Sequence, residues 1–142
     1  MRAAHIEELI SFYENMSPET VANIKDVYAS AACFKDPFND FCGIDKIEAI
    51  FRHMYQQVRE PRFMVREWSG TDRDGFIVWD MHFRSRMMRG GNAQTIHGVS
   101  HIRFDVSGKV TYHRDYWDTG EELYEKLPVI GWLIRRLRKA LA

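Results

Sequence analysis

Between positions 113 and 118 the chain reads His-Arg-Asp-Tyr-Trp-Asp. Side chains of an extended strand alternate between two faces, so His113, Asp115 and Trp117 share one side and Arg114, Tyr116 and Asp118 the other. His113 and Asp115 then stand roughly 7 Å apart at their α-carbons, the rise of two strand residues. An imidazole beside a carboxylate is a pairing suited to general acid–base chemistry, because the carboxylate orients the ring and stabilises its protonated form. The same two residues admit a structural reading, in which each satisfies the other inside a polar sheet wall. Asp118 belongs to a different pattern. In Asp-Thr-Gly-Glu it precedes Glu121 by three residues, the spacing of a helix N-cap.

The elements that must hold these residues are legible in the apolar periodicity. Ile6, Leu9, Ile10 and Tyr13 form one stripe of a first helix. Ser17 and Pro18 suit the start of a second, continued by Val21, Ile24 and Tyr28. The stretch Cys-Phe-Lys-Asp-Pro-Phe is extended, since the residue before a proline avoids helical geometry. After Gly43, Asp45 and Glu48 offer a capping box to a third helix with Ile47, Ile50, Phe51, Met54 and Val58 on its buried face. Beyond Pro61 the pattern changes to alternating strands, with turns at residues 71–75, 89–92 and 107–109. By that alternation Trp79, Met81 and Phe83 point inward, while Asp80, His82, Arg84, His101 and Arg103 point outward. Helices followed by a meander of long strands indicate an α+β domain, with helices on one face of a curved sheet.

Composition narrows the function classes. Lys plus Arg equals Asp plus Glu at 20 each, so no overall field draws the chain to nucleic acid. An apolar fraction of 45% in 142 residues is enough for one real core, and the whole of 1–142 reads as a single domain. No stretch has the length and apolarity of a membrane span or a signal peptide, which makes a cytoplasmic location the expectation. Cys33 and Cys42 lack metal-type spacing and read as free thiols in a reducing compartment, with a structural disulfide as the alternative. Neither a metal site nor a cofactor is expected.

The order helix–helix–Phe-Lys-Asp-Pro-Phe–Gly–helix–strands–Gly-Val-Ser-His-Ile-Arg-Phe-Asp-Val-Ser-Gly-Lys-Val–His-Arg-Asp-Tyr-Trp-Asp resembles the nuclear-transport-factor-2-like superfamily, particularly its SnoaL-like members. The resemblance runs from about Ile6 to Leu127. It implies a cone-like, curved antiparallel or mixed sheet whose N-terminal helices enclose a pocket. It also implies a range of activities, from isomerases and polyketide cyclases to dehydratases and non-catalytic binders. Set beside ketosteroid isomerase, Asp36 falls at the position of the general base, though an Asp before Pro also caps turns. Tyr13 lies one residue from the ungapped match to the oxyanion-hole tyrosine, which is Phe12. Ser100 stands where that isomerase has a protonated aspartic acid, and a serine cannot supply the same strong hydrogen bond. Ketosteroid isomerisation by that mechanism is therefore not expected.

The resemblance turns His113, Asp115 and Trp117 toward the pocket. Trp79, Met81, Phe83 and Trp117 would then be its apolar wall, and Asp36, Ser100, His113 and Asp115 its polar groups. Two carboxylates in one dry cavity would separate into an acid and a base. The expected ligand is a hydrophobic small molecule, handled by acid–base proton transfer with Asp36, His113, Asp115 and Tyr13 as the catalytic set. The alternatives are passive binding of a lipid-like ligand, or an interaction module. A homodimer is expected, with Arg114 and Tyr116 on the outer side of the sheet.

Residues 119–142 form a helical tail with a break at Pro128. Ile130, Leu133, Ile134, Leu137 and Leu141 fall along one side, with Arg135, Arg136, Arg138 and Lys139 near the end. Such a helix packs on its own domain or a partner, which is the expectation here, or lies at an anionic membrane surface through residues 129–142.

Overall fold

The structure, a computed structural model, describes residues 4–85 and 92–142. The first helix, α1 (Ala4–Glu14), buries Ile6, Leu9 and Tyr13, the stripe its sequence predicts. Residues 20–26 then form a 3-10 helix rather than a long α-helix. Ser17 does act at its start, its hydroxyl accepting the Thr20 N–H at 3.2 Å. Tyr28 does not continue that helix. It opens strand β1 (Tyr28–Lys35), where Tyr28, Ala32 and Phe34 are buried. The helical spacing of 21, 24 and 28 is overridden by the pairing of β1 with two other strands.

Helix α2 (Ile44–Gln57) buries Ile47 and Phe51, with Ile50 and Met54 packed beside them. Its N-terminus differs from the expected capping box. Gly43 occupies the cap position at φ 116°, backbone that suits glycine, and Asp45 lies inside the first turn, where its charge complements the helix dipole.

Six strands form one sheet: β1, β2 (Asp40–Cys42), β3 (Arg59–Gly70), β4 (Asp74–Arg84), β5 (Ala93–Phe104) and β6 (Val110–Tyr116), in the order β2-β1-β6-β5-β4-β3. β1 and β6 are parallel and every other neighbouring pair is antiparallel, so the sheet is mixed. The turns at 71–75 and 107–109 join strands as the sequence suggests, whereas residues 89–91 of the third turn lie outside the described residues. α1 packs against β3, and α2 against β1 and β3, which closes the helices over one face of the sheet.

The cysteines correct an expectation. Cys33 and Cys42 are directly opposed across β1 and β2, with α-carbons 4.0 Å apart, and form a disulfide. Their separation of nine is hairpin spacing, which becomes visible only when the strands pair. Disulfides persist in oxidising environments, so the argument for a reducing compartment loses its support. Among the described residues no helix is long and apolar enough to cross a membrane.

At the C-terminus, Asp118 caps α3 (Thr119–Glu122), its carboxylate accepting the Glu121 N–H at 3.1 Å. A 3-10 turn at Tyr124–Lys126 leads into α4 (Pro128–Leu141). Within the chain the tail packs only in part: Ile134 is half-buried near Gly120, α4 meets the preceding turn through Gly131, and Leu133 and Leu137 are exposed.

Candidate active site

The site is assembled where β1, β6, β5 and β4 lie side by side. Registry brings Phe34 opposite His113, Ser100 opposite Asp115, and Trp79 opposite Gly98. Gly98 is required there, since a Cβ would come within 2.4 Å of the Trp79 ring. The indole therefore lies across β5 and aims its N–H at Ser100.

A chain of hydrogen bonds follows. Trp79 Nε1–H donates to Ser100 Oγ at 2.8 Å, and the Ser100 hydroxyl donates to Asp115 Oδ1 at 2.5 Å. His113 Nε2 lies 2.6 Å from the same oxygen. An ionised carboxylate only accepts, so Nε2 carries a proton, and in the neutral ring Nδ1 is the acceptor. Tyr28 and Tyr13 both reach that nitrogen, at 2.7 and 3.0 Å, and their hydroxyls are 2.5 Å from each other. Burial, then the charge and hydrogen bond of Tyr28, push the Tyr13 phenol well above its ordinary range. Burial raises Tyr28 as well, against the opposing hydrogen bond from Tyr13. Both phenols remain protonated donors. One imidazole lone pair takes only one of them directly, and the O–H of the other donates to the first phenol's oxygen.

Two connected chambers adjoin this chain. The inner one, about 20 Å³, is lined by Tyr13, Phe51, Phe63, Trp79, Ser100, His113 and Asp115. It has room for one water or one functional group of a ligand. The outer one, about 230 Å³, includes Asp36, Phe38, Met54, Phe63, Trp79, Met81, Asp115 and Trp117 in its lining. Asp115 lines both. Its side chain is 19% exposed and that of His113 only 4%, so of this pair the carboxylate meets the larger space, which Asp36, Asn39, His53 and Gln57 also line.

Among the residues singled out by sequence, Tyr13, His113, Asp115, Ser100 and Trp79 converge, and Met81 and Trp117 line the outer chamber. Phe83 is buried in the core and lines neither chamber. Asp36 reaches the outer chamber, but its Oδ1 accepts the N–H groups of Phe38 and Asn39 at 2.8 and 2.7 Å. The Asn39 amide adds bonds of 3.0 and 3.2 Å to its two oxygens. This carboxylate fixes the turn between β1 and β2. Arg114 and Tyr116 line neither chamber, and the guanidinium lies 4.4 Å from the ring centre.

Tyr28 was missed by sequence reasoning. The buried alternation of residues 28, 32 and 34 was the available signal, hidden by a helical reading one element too long. On the outer face, Asp80 is also more enclosed than alternation alone suggests. It is 2% exposed beneath Arg66 and His97. Burial raises its pKa, but the hydrogen bonds and charges of those two partners outweigh burial and hold the carboxyl below the usual range.

The profile of the SnoaL-like domain family matches residues 9–113. Solved structures are similar in fold. A protein of ketosteroid isomerase-like fold from Catenulispora acidiphila, crystallised with trimethylamine, has a TM-score of 0.72 at 10% identity, over 93% of this chain and 98% of that one. A candidate SnoaL-like polyketide cyclase from Shewanella putrefaciens has a TM-score of 0.72 at 15% identity, over 89% and 97%. An LEH-like epoxide hydrolase from M. tuberculosis has a TM-score of 0.67 at 12% identity, over 95% and 90%. No curated protein matches the chain.

Proposed function

The chain belongs to the SnoaL-like domain family, and from that membership we propose that it performs cofactor-independent acid–base chemistry on a small hydrophobic molecule. The observation that carries this reading is the position of Asp115. Beside Trp79, it is the ionisable member of the buried chain of Trp79, Ser100, His113, Tyr28 and Tyr13 that also lines the outer chamber.

In this reading Asp115 is the group that moves a proton on the ligand. Both of its hydrogen bonds fall on Oδ1, so Oδ2 is the oxygen available to take the proton. His113 positions the carboxylate and stabilises it in either state, through Nε2 on one side and the phenols on the other. Tyr28 stands closer to Nδ1 and donates to it, and Tyr13 donates to the Tyr28 oxygen. Tyr13 lines the inner chamber, so its O–H can turn from Tyr28 to a ligand oxygen on which negative charge develops. Such an arrangement suits isomerisation, cyclisation, dehydration or hydration. Asp36, whose lone pairs serve its turn, is removed from the role of base and kept as part of the wall.

The test starts with a thermal-shift screen of hydrophobic ketones, epoxides, polyketides and fatty-acid derivatives. A ligand at 100 times its Kd should stabilise the fold by about 2.7 kcal/mol. With a hit that is turned over, Asp115→Asn should lose about 10²–10⁴ in rate and still bind, while Asp36→Asn should leave the rate near wild type. Equal turnover by wild type and Asp115→Asn would remove Asp115 from the chemistry. Hits that bind without ever reacting would favour a passive carrier.

A further inference from the structure

Helix α4 is amphipathic, yet it docks the wrong way round for a helix held by its apolar face. A surface helix of a soluble domain normally turns its apolar arc to the core. Here the contact with the preceding turn is made by Gly131, Arg135 and Arg138, and of the apolar stripe Ile134 is the half-buried member, near Gly120. Gly131 abuts the Glu125 carbonyl, where a Cβ would come within 2.4 Å. Arg135 Nη1 donates to the same carbonyl at 2.7 Å, and Arg138 Nη1 pairs with the Glu125 carboxylate at 2.9 Å. At 100° per residue these three positions lie on one side of the helix. Val129, Ile130, Leu133, Leu137 and Leu141 occupy the opposite arc and are between 48% and 79% exposed.

The surroundings of that arc select its partner. Residues 128–142 include four cations and no acid. Arg136 sits 5.1 Å from the ring centre of Trp132, and with Arg135 and Lys139 they line a basic surface hollow of about 410 Å³ on the side of the helix away from the leucines, Arg136 being the cation nearest to Leu133 around the helix. A second copy placed arc to arc would bring two cationic helices together, with Arg138 paired to Glu125 but no acid on either helix to offset Arg135, Arg136 and Lys139. An anionic bilayer meets both features at once. Its hydrocarbon takes the leucines, and its phosphates attract the cations of the polar face, of which Arg136 flanks Leu133.

We propose that α4 is an interfacial helix that seats this protein on anionic lipid membranes through Leu133, Leu137 and Leu141, with Arg136 on the flank at the headgroups. The proposal is independent of the chemistry in the pocket.

The test is co-sedimentation of the full chain with phosphatidylcholine vesicles, with and without phosphatidylserine. Wild type should sediment with the phosphatidylserine vesicles, and its partition should fall about tenfold or more when salt is raised, because exposed charges are screened. Leu133→Asp/Leu137→Asp should abolish sedimentation at an unchanged thermal midpoint and circular dichroism spectrum, since both side chains are exposed. No sedimentation of wild type, or equal sedimentation of the double variant, overturns the proposal. So does a dimer in sedimentation velocity that this double variant dissociates, which would assign the arc to a second copy.

Discussion

The two phenols on His113 make a quantitative prediction, because two donors serve one lone pair. Tyr28→Phe removes the nearer hydroxyl but leaves Tyr13 at 3.0 Å from Nδ1, able to take over the bond. Tyr13→Phe leaves Tyr28 in place at 2.7 Å. Each single change should therefore cost about 1 kcal/mol, the usual net value of one hydrogen bond. The double variant strips Nδ1 of both phenols inside a site where His113 is 3% exposed. A buried acceptor left without a partner costs about 1–3 kcal/mol, so the double variant should exceed the sum of the singles by about 1–2 kcal/mol. Urea unfolding followed by tryptophan fluorescence measures all four members of the cycle. Wild type and variants must share one m-value for the comparison to hold. Additivity to within about 0.5 kcal/mol would falsify the shared-acceptor arrangement.

Two further outcomes follow from the same structure. Tyr13 and Tyr28 have folded pKa values raised by burial, so the unfolded chain ionises them near pH 10 while the folded chain does not. Their contribution to stability is intact below about pH 10 and is lost as the pH rises beyond it. Phenolate absorbance should show both ionising only as the protein unfolds, so the titration curve of folded Tyr13→Phe/Tyr28→Phe should match that of wild type; a difference between the curves would contradict their burial as neutral donors. The Cys33–Cys42 disulfide closes a separation of nine residues. Cys33→Ser/Cys42→Ser should therefore lose about 2–3 kcal/mol under oxidising conditions. A thiol reductant should impose a similar loss on wild type and none on the variant, and a wild type indifferent to reductant would refute the pairing.

Much of the architecture was legible because it depends on local rules. The stripe of Ile6, Leu9 and Tyr13 follows helical period, the inward Trp79, Met81 and Phe83 follow strand period, and Asp118 followed by Glu121 is cap spacing. Each needs only a few neighbours in the chain, and the fold class follows from their order. The facing of His113 and Asp115 was legible for the same reason.

Tertiary pairing decided what those residues touch. Ser100 meets Asp115 and Phe34 meets His113 only through the registers of β5, β6 and β1, which bring together residues far apart in sequence. Tyr28 entered the site because strand pairing overrode a helical spacing, and Cys33 met Cys42 because β2 folds back on β1. Asp36 had a turn and a pocket both within reach, and the N–H groups of Phe38 and Asn39 took its carboxylate. The period of α4 marked its apolar arc, but which side would meet the domain was set by Gly131 fitting against Glu125, a contact that periodicity does not encode.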